Sequence, residues 1–463
     1  MKSRIKLILF ILTAIAVFLP LLQQQFRIFP FRKLAGVEVE KPKPKLTFQN
    51  WRKQKFQKQS EAYLQQHYGF KEPLTRFYNQ CVWDLFDQSN LKKNQWIYVT
   101  DSNWYFESQN VREYYEGNAE NNSKDSLDML NKLNSEAFRL YQLQHILEDY
   151  GTHLFVLLIP GKEMIYPEKL PTKVPFKQRP HLSAYDFFKN SFDELGINYI
   201  DVGAWFQQAK DTTDYLLFPQ TGTHWSNLAA IRVADSLIHY MEQVGGIEMN
   251  HFSVGPRYEA TIYPDDDLEQ LLNLIRPLEK TPNYYAETQV IERPGTVKPT
   301  LITIGDSFYW NILEHTPFKE IFQALPYWYY FSSVYFDDPY QNIREIDVLE
   351  EVLDADFVML SYSSTQLYKM SNGFSQRLLT ELCYDPEEVD AAREKLILSI
   401  QRQTKWFDGL KKRAERYGTD LDTALYQEAD NVIKAKPANY LPALKDSIPT
   451  KRSTKALQHH GIQ

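Results

Sequence analysis

Two short stretches hold residues whose types and spacing suit nucleophilic chemistry. "LITIGDSFYWNIL", Leu301 to Leu313, is an apolar run that breaks at Gly305 and delivers Ser307 to its end. Upstream, "PQTGTHWSN" sets His224 among small polar residues, followed by Trp225. A serine hydroxyl is a weak nucleophile at neutral pH and needs a base with a pKa near the working pH, the usual role of histidine. The pair therefore suggests acyl transfer through Ser307, with His224 as general base and Trp225 walling the site. A serine at a strand-to-helix turn also lies beside the first helical N–H groups, here those of Ser307 and Phe308, and such groups stabilise an oxyanion. The same positions also suit a plain helix N-cap serine and a loop histidine bonded to a backbone carbonyl.

The elements that must position this pair read as strand and helix in turn. "HLFVLLIP", "INYIDV", "TLITIG" and "DFVMLSYS" are apolar runs of the kind found in buried parallel strands. Between them lie amphipathic segments: "DMLNKLNSEAFRLYQLQHILEDYG" with Gly151 at its C-terminal cap, Tyr185 to Leu195, and a helix after "THW" with Ser226 as N-cap. Ile231, Ala234, Ile238 and Met241 share one face of that last helix. "WIYVTDSNWYF" reads as a strand or hairpin that opens the globular part. The pattern predicts an α/β sandwich of three layers with a mostly parallel sheet, and in such folds function gathers beyond the carboxyl ends of the strands.

Composition narrows the class of partner. A net charge of -7 leaves no electrostatic footprint for nucleic acid. Aromatics make up 14% of the chain, which suits stacking on sugar rings and equally suits a filled core. Two cysteines, Cys81 and Cys383, are too few for a disulfide framework. They either pair with each other or stand as structural thiols. At the start of the chain, Lys2, Arg4 and Lys6 precede an apolar run from Leu7 to Leu22. That is long for a signal-peptide core of roughly 7–15 residues and slightly short of a span of ~20. With no small-residue cleavage site following, it reads as an uncleaved signal anchor in the inner membrane with the remainder exported. The expected organisation is a signal anchor over 1–23, a stem and helical lead-in over 24–85, the main domain over 86–385, and a helical extension over 386–463 whose end, from Lys445, is mobile.

"IGDSF", the upstream "THW" and "LIPGKEMIYPEKLP" together resemble the SGNH-hydrolase-like alginate O-acetyltransferase family, and "YGFKEPLTRFYN" is similar to that family's lead-in. The resemblance runs over roughly residues 45 to 370. The order of motifs, histidine before serine, is also the family's. It implies a periplasmic enzyme that acetylates an exported polysaccharide without a cofactor. It further implies an acetyl donor supplied across the membrane by a multi-spanning O-acyltransferase partner.

One position departs from the pattern. Where the family reads Asp-Thr-His-Trp, this chain has Gly222, Thr223, His224 and Trp225. A missing carboxylate behind a catalytic histidine can lower turnover by ~10⁴. The candidates to replace it are Asp214 and Asp201, or the pair works as a dyad, or catalysis is lost and binding remains. Asp306, adjacent to the serine, is badly placed for the far nitrogen of His224 and is expected to structure the turn. "YPDDDLEQ", with Asp265 to Asp267, hints at a metal site but reads better as an acid-rich helix N-terminus. No other cluster shows metal-ligand spacing. "LPYWYYFSSVYFDDPYQN", Leu325 to Asn342, lines a glycan groove or forms a hairpin with one buried face. The candidate substrate-binding aromatics are Trp225, Tyr309, Trp328 and Tyr330. Three functions stay open: an O-acetyltransferase, an acetyl esterase using the same residues with water as acceptor, and a non-catalytic polysaccharide-binding protein.

Overall fold

A strand that is apolar at successive positions needs cover on both faces. That demand organises the computed structural model, which describes residues 2–36, 40–86, 97–117, 126–172, 174, 183–335, 341–417, 419–435 and 439–441. In chain order its strands are β1 (Ile97–Val99), β2 (Tyr105–Glu107), β3 (His153–Ile159), β4 (Tyr199–Asp201), β5 (His251–Val254), β6 (Tyr258–Ala260), β7 (Asn283–Tyr285), β8 (Thr288–Ile291), β9 (Leu301–Gly305), β10 (Tyr327–Tyr329), β11 (Ser333–Tyr335), β12 (Gln341–Asn342) and β13 (Phe357–Ser363). Seven of them form one sheet in the order β12-β11-β10-β9-β13-β3-β4. The pairings from β10 to β4 are parallel, while β10–β11 and β11–β12 are antiparallel. The sheet is therefore mixed: a parallel body with an antiparallel margin built from the aromatic segment after Leu325. Residues 336–340 of that segment and the tail from Pro442 lie outside the described residues.

Alternation along the central strands divides the core in two. Phe155, Leu157 and Ile159 of β3, with Phe357 and Met359 of β13, pack with the helix Asn227–Gly245. Leu154, Val156 and Leu158, with Val358 and Leu360, pack on the opposite face with the helices Ser126–Glu148, Ala184–Leu195 and Phe374–Cys383. The result is helix, sheet, helix: an SGNH-like α/β fold. Three helices, Pro386–Arg402, Thr404–Tyr417 and Leu421–Ala435, bury a core of their own around Leu396, Ile400, Leu425 and Ile433. Two antiparallel ribbons, β5–β8 and β6–β7, flank the sheet without joining it. They lie in a stretch whose short, polar strands carry little periodicity.

The first helix spans Lys2–Phe26 and exposes Leu7, Phe10 and Phe18. Its apolar run is shorter than the ~20 residues of a bilayer crossing, and among the described residues no helix is long and apolar enough to cross a membrane. The expected signal anchor is therefore not found as a spanning helix.

Gly305 ends β9 because its neighbour leaves no room for a side chain. A Cβ there would lie 2.3 Å from the carbonyl oxygen of Ser361 on β13. Gly305→Ala is expected to force β9 away from β13, lowering stability by about 1–3 kcal/mol, the usual range for an overpacked core. Denaturant unfolding of the variant beside the wild type measures this directly, and equal midpoints would contradict the packing described.

Candidate active site

The parallel register of β9 between β10 and β13 carries Ser307 just past the carboxyl edge of the sheet. Asp306 builds the turn. Its buried carboxylate accepts the Ser363 N–H at 2.7 Å and the Ser363 hydroxyl at 2.5 Å through Oδ2, and the Phe308 N–H at 3.2 Å through Oδ1. The helix Phe308–His315 starts directly after Ser307, yet the Ser307 side chain makes no cap hydrogen bond to it. The Oγ instead lies 2.8 Å from His224 Nε2. Ser307 thus occupies the N-cap position without capping the helix through its side chain, and His224 is not a carbonyl-bonded loop histidine. The Phe308 N–H, expected to face an oxyanion, is committed to Asp306, which leaves the Ser307 N–H as the expected donor.

His224 is held by a loop whose carbonyls converge on one cation. Lys162, from the "PGKEM" stretch after β3, donates to the carbonyls of Pro219 at 3.1 Å, Gln220 at 3.2 Å and Gly222 at 2.6 Å. Burial lowers the Lys162 pKa to about 7, against the opposing pull of Asp267, Glu163 and Glu107. Trp225 follows the histidine into the core, where it is fully buried with its ring 5.4 Å from that of Phe308. Phe308 in turn lies 4.8 Å from the His224 ring, centroid to centroid.

The carboxylate behind His224 comes from a third segment. Asp267 Oδ2 is 3.6 Å from His224 Nδ1, an ion-pair separation longer than a hydrogen bond. Such contacts often tighten when substrate binds. Asp267 is fixed in place by its Oδ1, which accepts the Thr223 N–H at 2.9 Å, and the Thr223 hydroxyl donates to Glu107 at 3.2 Å. Glu107 is half-buried, and desolvation together with the Asp267 charge raises its pKa. The helix Asp267–Leu272 does begin at the acidic triplet, but the role of Asp267 in the geometry is to face the histidine.

Neither aspartate expected from the sequence is there. Asp214 is exposed and grips Arg257 through both oxygens, at 2.6 and 2.8 Å. Asp201 caps the helix Val202–Ala209 through Ala204 N–H at 2.8 Å and accepts the Tyr185 hydroxyl at 2.7 Å. Gly222 shows why the family's position is empty. A Cβ on it would lie 2.7 Å from the carbonyl oxygen of Asp265, so the segment that brings in Asp267 occupies the space in which an aspartate at 222 would begin. No pattern of residue types in the sequence marks that exchange; only the absence at Gly222 signals that something must replace it.

Of the aromatics expected to bind substrate, Trp225, Tyr309 and Trp328 are core residues at most 1% exposed. Trp328 lies on the far face of the sheet, in the cluster with Val358 and Leu360. Tyr330 alone keeps access. It holds a left-handed backbone with φ of 49° and donates its N–H to the Gly305 carbonyl at 2.8 Å, beside the serine turn.

Residues 97–306 match the family model of the SGNH hydrolase-like domain of the acetyltransferase AlgX. Over that stretch the chain is similar to alginate O-acetyltransferases. The match covers just under half of the chain, includes the His224 loop and stops one residue before Ser307. Over 187 residues the chain is 25% identical to the probable alginate O-acetylase AlgJ of Pseudomonas syringae pv. tomato. That alignment takes in 40% of this chain and 42% of the relative, so the chain spans less than half the length of the curated protein it matches. Two solved structures are also similar. The O-acetyltransferase domain of Pseudomonas putida AlgJ has 16% identity and a TM-score of 0.38, over 59% of this chain and 92% of that one. Pseudomonas aeruginosa AlgX has 14% identity and a TM-score of 0.39, over 60% and 66%.

Asp265, two residues before Asp267, is almost fully buried with its pKa raised to about 7, chiefly by desolvation. Its hydrogen bonding agrees with a neutral carboxyl. Tyr285 Oη meets Asp265 Oδ2, accepts from the Ile262 N–H at 3.1 Å and lies 3.1 Å from the Ile262 carbonyl. One hydroxyl proton cannot serve two acceptors, and a protonated Asp265 donating to Tyr285 satisfies all three.

A carboxyl whose folded pKa lies above its unfolded value near 3.8 gives stability that is full below pH 3.8 and lost as pH rises to about 7. Asp265→Asn should therefore gain in thermal midpoint relative to the wild type as pH rises from 4 to 7. A difference that stays flat across that window contradicts a neutral Asp265. Gly222→Ala should lower stability by about 1–3 kcal/mol through the clash with the Asp265 backbone. Gly222→Asp should likewise fail to improve any activity of the site, which parallel turnover and unfolding measurements will show.

Proposed function

We propose that this chain is an O-acetyltransferase that passes an acetyl group through Ser307 to a hydroxyl of an exported polysaccharide. The observation that carries the reading is the 2.8 Å contact between His224 Nε2 and Ser307 Oγ, with Asp267 behind Nδ1. Ser307 Oγ attacks the acetyl carbonyl carbon while its proton passes to His224 Nε2. The tetrahedral oxyanion, stabilised by the Ser307 N–H at the positive end of the helix Phe308–His315, then collapses. The bond from the acetyl carbon to the donor breaks, and the donor's leaving group takes the proton from His224. In the second half the sugar hydroxyl gives its proton to His224 and attacks the acyl-serine, and Ser307 recovers the proton as it leaves. Asp267 holds the imidazole in the tautomer with Nδ1 protonated and favours the imidazolium formed in each half.

The reading places the chain outside the cytoplasm. The cations and exposed apolar side chains of the helix Lys2–Phe26 support an origin in export and attachment at the inner membrane. The acetyl donor in this reading is a multi-spanning membrane O-acyltransferase, as the family resemblance implies. Tyr330, at the edge of the serine turn, is the aromatic suited to contact the sugar ring.

The test is acetyl release from a chromogenic ester, with and without an oligosaccharide acceptor. Ser307→Ala and His224→Ala should abolish release, and Asp267→Asn should reduce it by about 10²–10⁴, with Asp214→Asn and Asp201→Asn sparing the chemistry. Acetyl found on the sugar supports the transferase. Release into water alone makes the chain an esterase, and release that Ser307→Ala leaves intact removes the serine mechanism.

A further inference from the structure

The helix Asn227–Gly245, which begins just after His224, carries Asp235 and His239 one turn apart on its outer face. His251 of β5 leans across to them, and its ring centroid is 4.7 Å from that of His239. One ligand atom from each of the three residues lies within 4.8 Å of those of the other two. The i, i+4 placement is the one by which two side chains of a helix share a zinc ion.

Hydrogen bonds decide which nitrogens carry lone pairs. His239 Nδ1 lies 2.8 Å from the Asp235 carbonyl oxygen, so Nδ1 bears the proton and Nε2 is left as a ligand. His251 Nε2 lies 3.1 Å from both carboxylate oxygens of Glu242, so Nε2 bears the proton and Nδ1 is left. Glu242 is itself anchored by the Met249 N–H at 2.8 Å. Each imidazole thus has its outer nitrogen held by an acceptor, the second layer of contacts that orients histidines at metal centres.

We propose that Asp235, His239 and His251 bind one divalent transition-metal ion, zinc in the first instance, with water completing a tetrahedral set. Two imidazoles and a carboxylate are a donor set matched to zinc. Metal–ligand bonds of about 2.0–2.1 Å place ligand atoms roughly 3.4 Å apart, so the three must draw in from their present spacing. The Asp235 carboxylate, 49% exposed, has room to move inward, while His239 turns about its Nδ1 contact and His251 is held at 15% exposure. The ion would staple the β5–β8 ribbon to the helix that carries His224 at its head. The site lies about 18 Å along the helix from that end, at 1.5 Å per residue, and takes no part in the acyl chemistry. The proposal is independent of the acetyltransferase reading.

The experiment is a titration of the full chain, purified and stripped with a chelator, with cobalt(II) followed by its visible absorption and then displaced by zinc. One equivalent with the intensity of a tetrahedral complex is expected, together with an upward shift of the thermal midpoint on adding zinc. His251→Ala and His239→Ala should each weaken binding at least tenfold while their far-ultraviolet circular dichroism stays that of the wild type. Asp235→Asn gives a second reading should either histidine variant fold poorly. The absence of a saturable equivalent, or variants that bind as tightly as the wild type, would overturn the site.

Discussion

Everything at the candidate site depends on where a short loop places His224, and that loop is held by the Lys162 ammonium. Three backbone carbonyls, from Pro219, Gln220 and Gly222, point at one buried cation. Three converging carbonyl dipoles repel one another, and the lysine turns that repulsion into attraction. A buried cation is costly unless it is paired and hydrogen-bonded. Asp267, Glu163 and Glu107 offset part of that cost, since each pulls the lysine toward its charged form against the larger effect of burial. The same Asp267 stands behind His224. The carboxylate facing the histidine is therefore also part of what keeps the loop's cation charged, and the site is one electrostatic unit.

Gly222 and Asp267 are the two halves of an exchange. The family pattern places the acid two residues before the histidine, on the same loop. Here the loop has no side chain at that point, and the backbone around Asp265 packs against the bare Cα. That approach lets the next turn of chain present Asp267 from the opposite side. The carboxylate faces His224 Nδ1 from another stretch of the chain, with the Thr223 N–H as the pin between the two segments. Asp265, buried beside it and bonded to Tyr285, is most easily accommodated neutral, because burial strips its charge of water and a second full charge would also oppose Asp267.

The aromatic residues show how composition misleads about function. Their abundance suited a sugar-binding surface, yet Trp225, Tyr309 and Trp328 fill the two cores. The antiparallel margin β10–β11 places aromatics on both faces of the sheet, so the segment after Leu325 is structure first. Tyr330 escapes only because the turn between those strands takes left-handed backbone and lifts it toward the serine edge.

What the sequence determined by itself was what short-range pattern encodes. The four parallel strands, the helices between them and the Ser226 cap follow from periodicity and local hydrogen bonding, which act over a few residues. Ser307 and His224 were legible because a nucleophile at a strand-to-helix turn and a histidine in a small-residue loop leave local signatures. Tertiary structure decided the rest. Thr223 and Asp267 are 44 residues apart, His224 and Ser307 are 83 apart, and no periodicity reports which carboxylate will face which nitrogen. Asp201, Asp214 and Asp267 are alike as residue types. Packing separates them: one is taken by a helix cap, one by a surface arginine, and the third is carried to the histidine because Gly222 leaves room for the backbone that bears it.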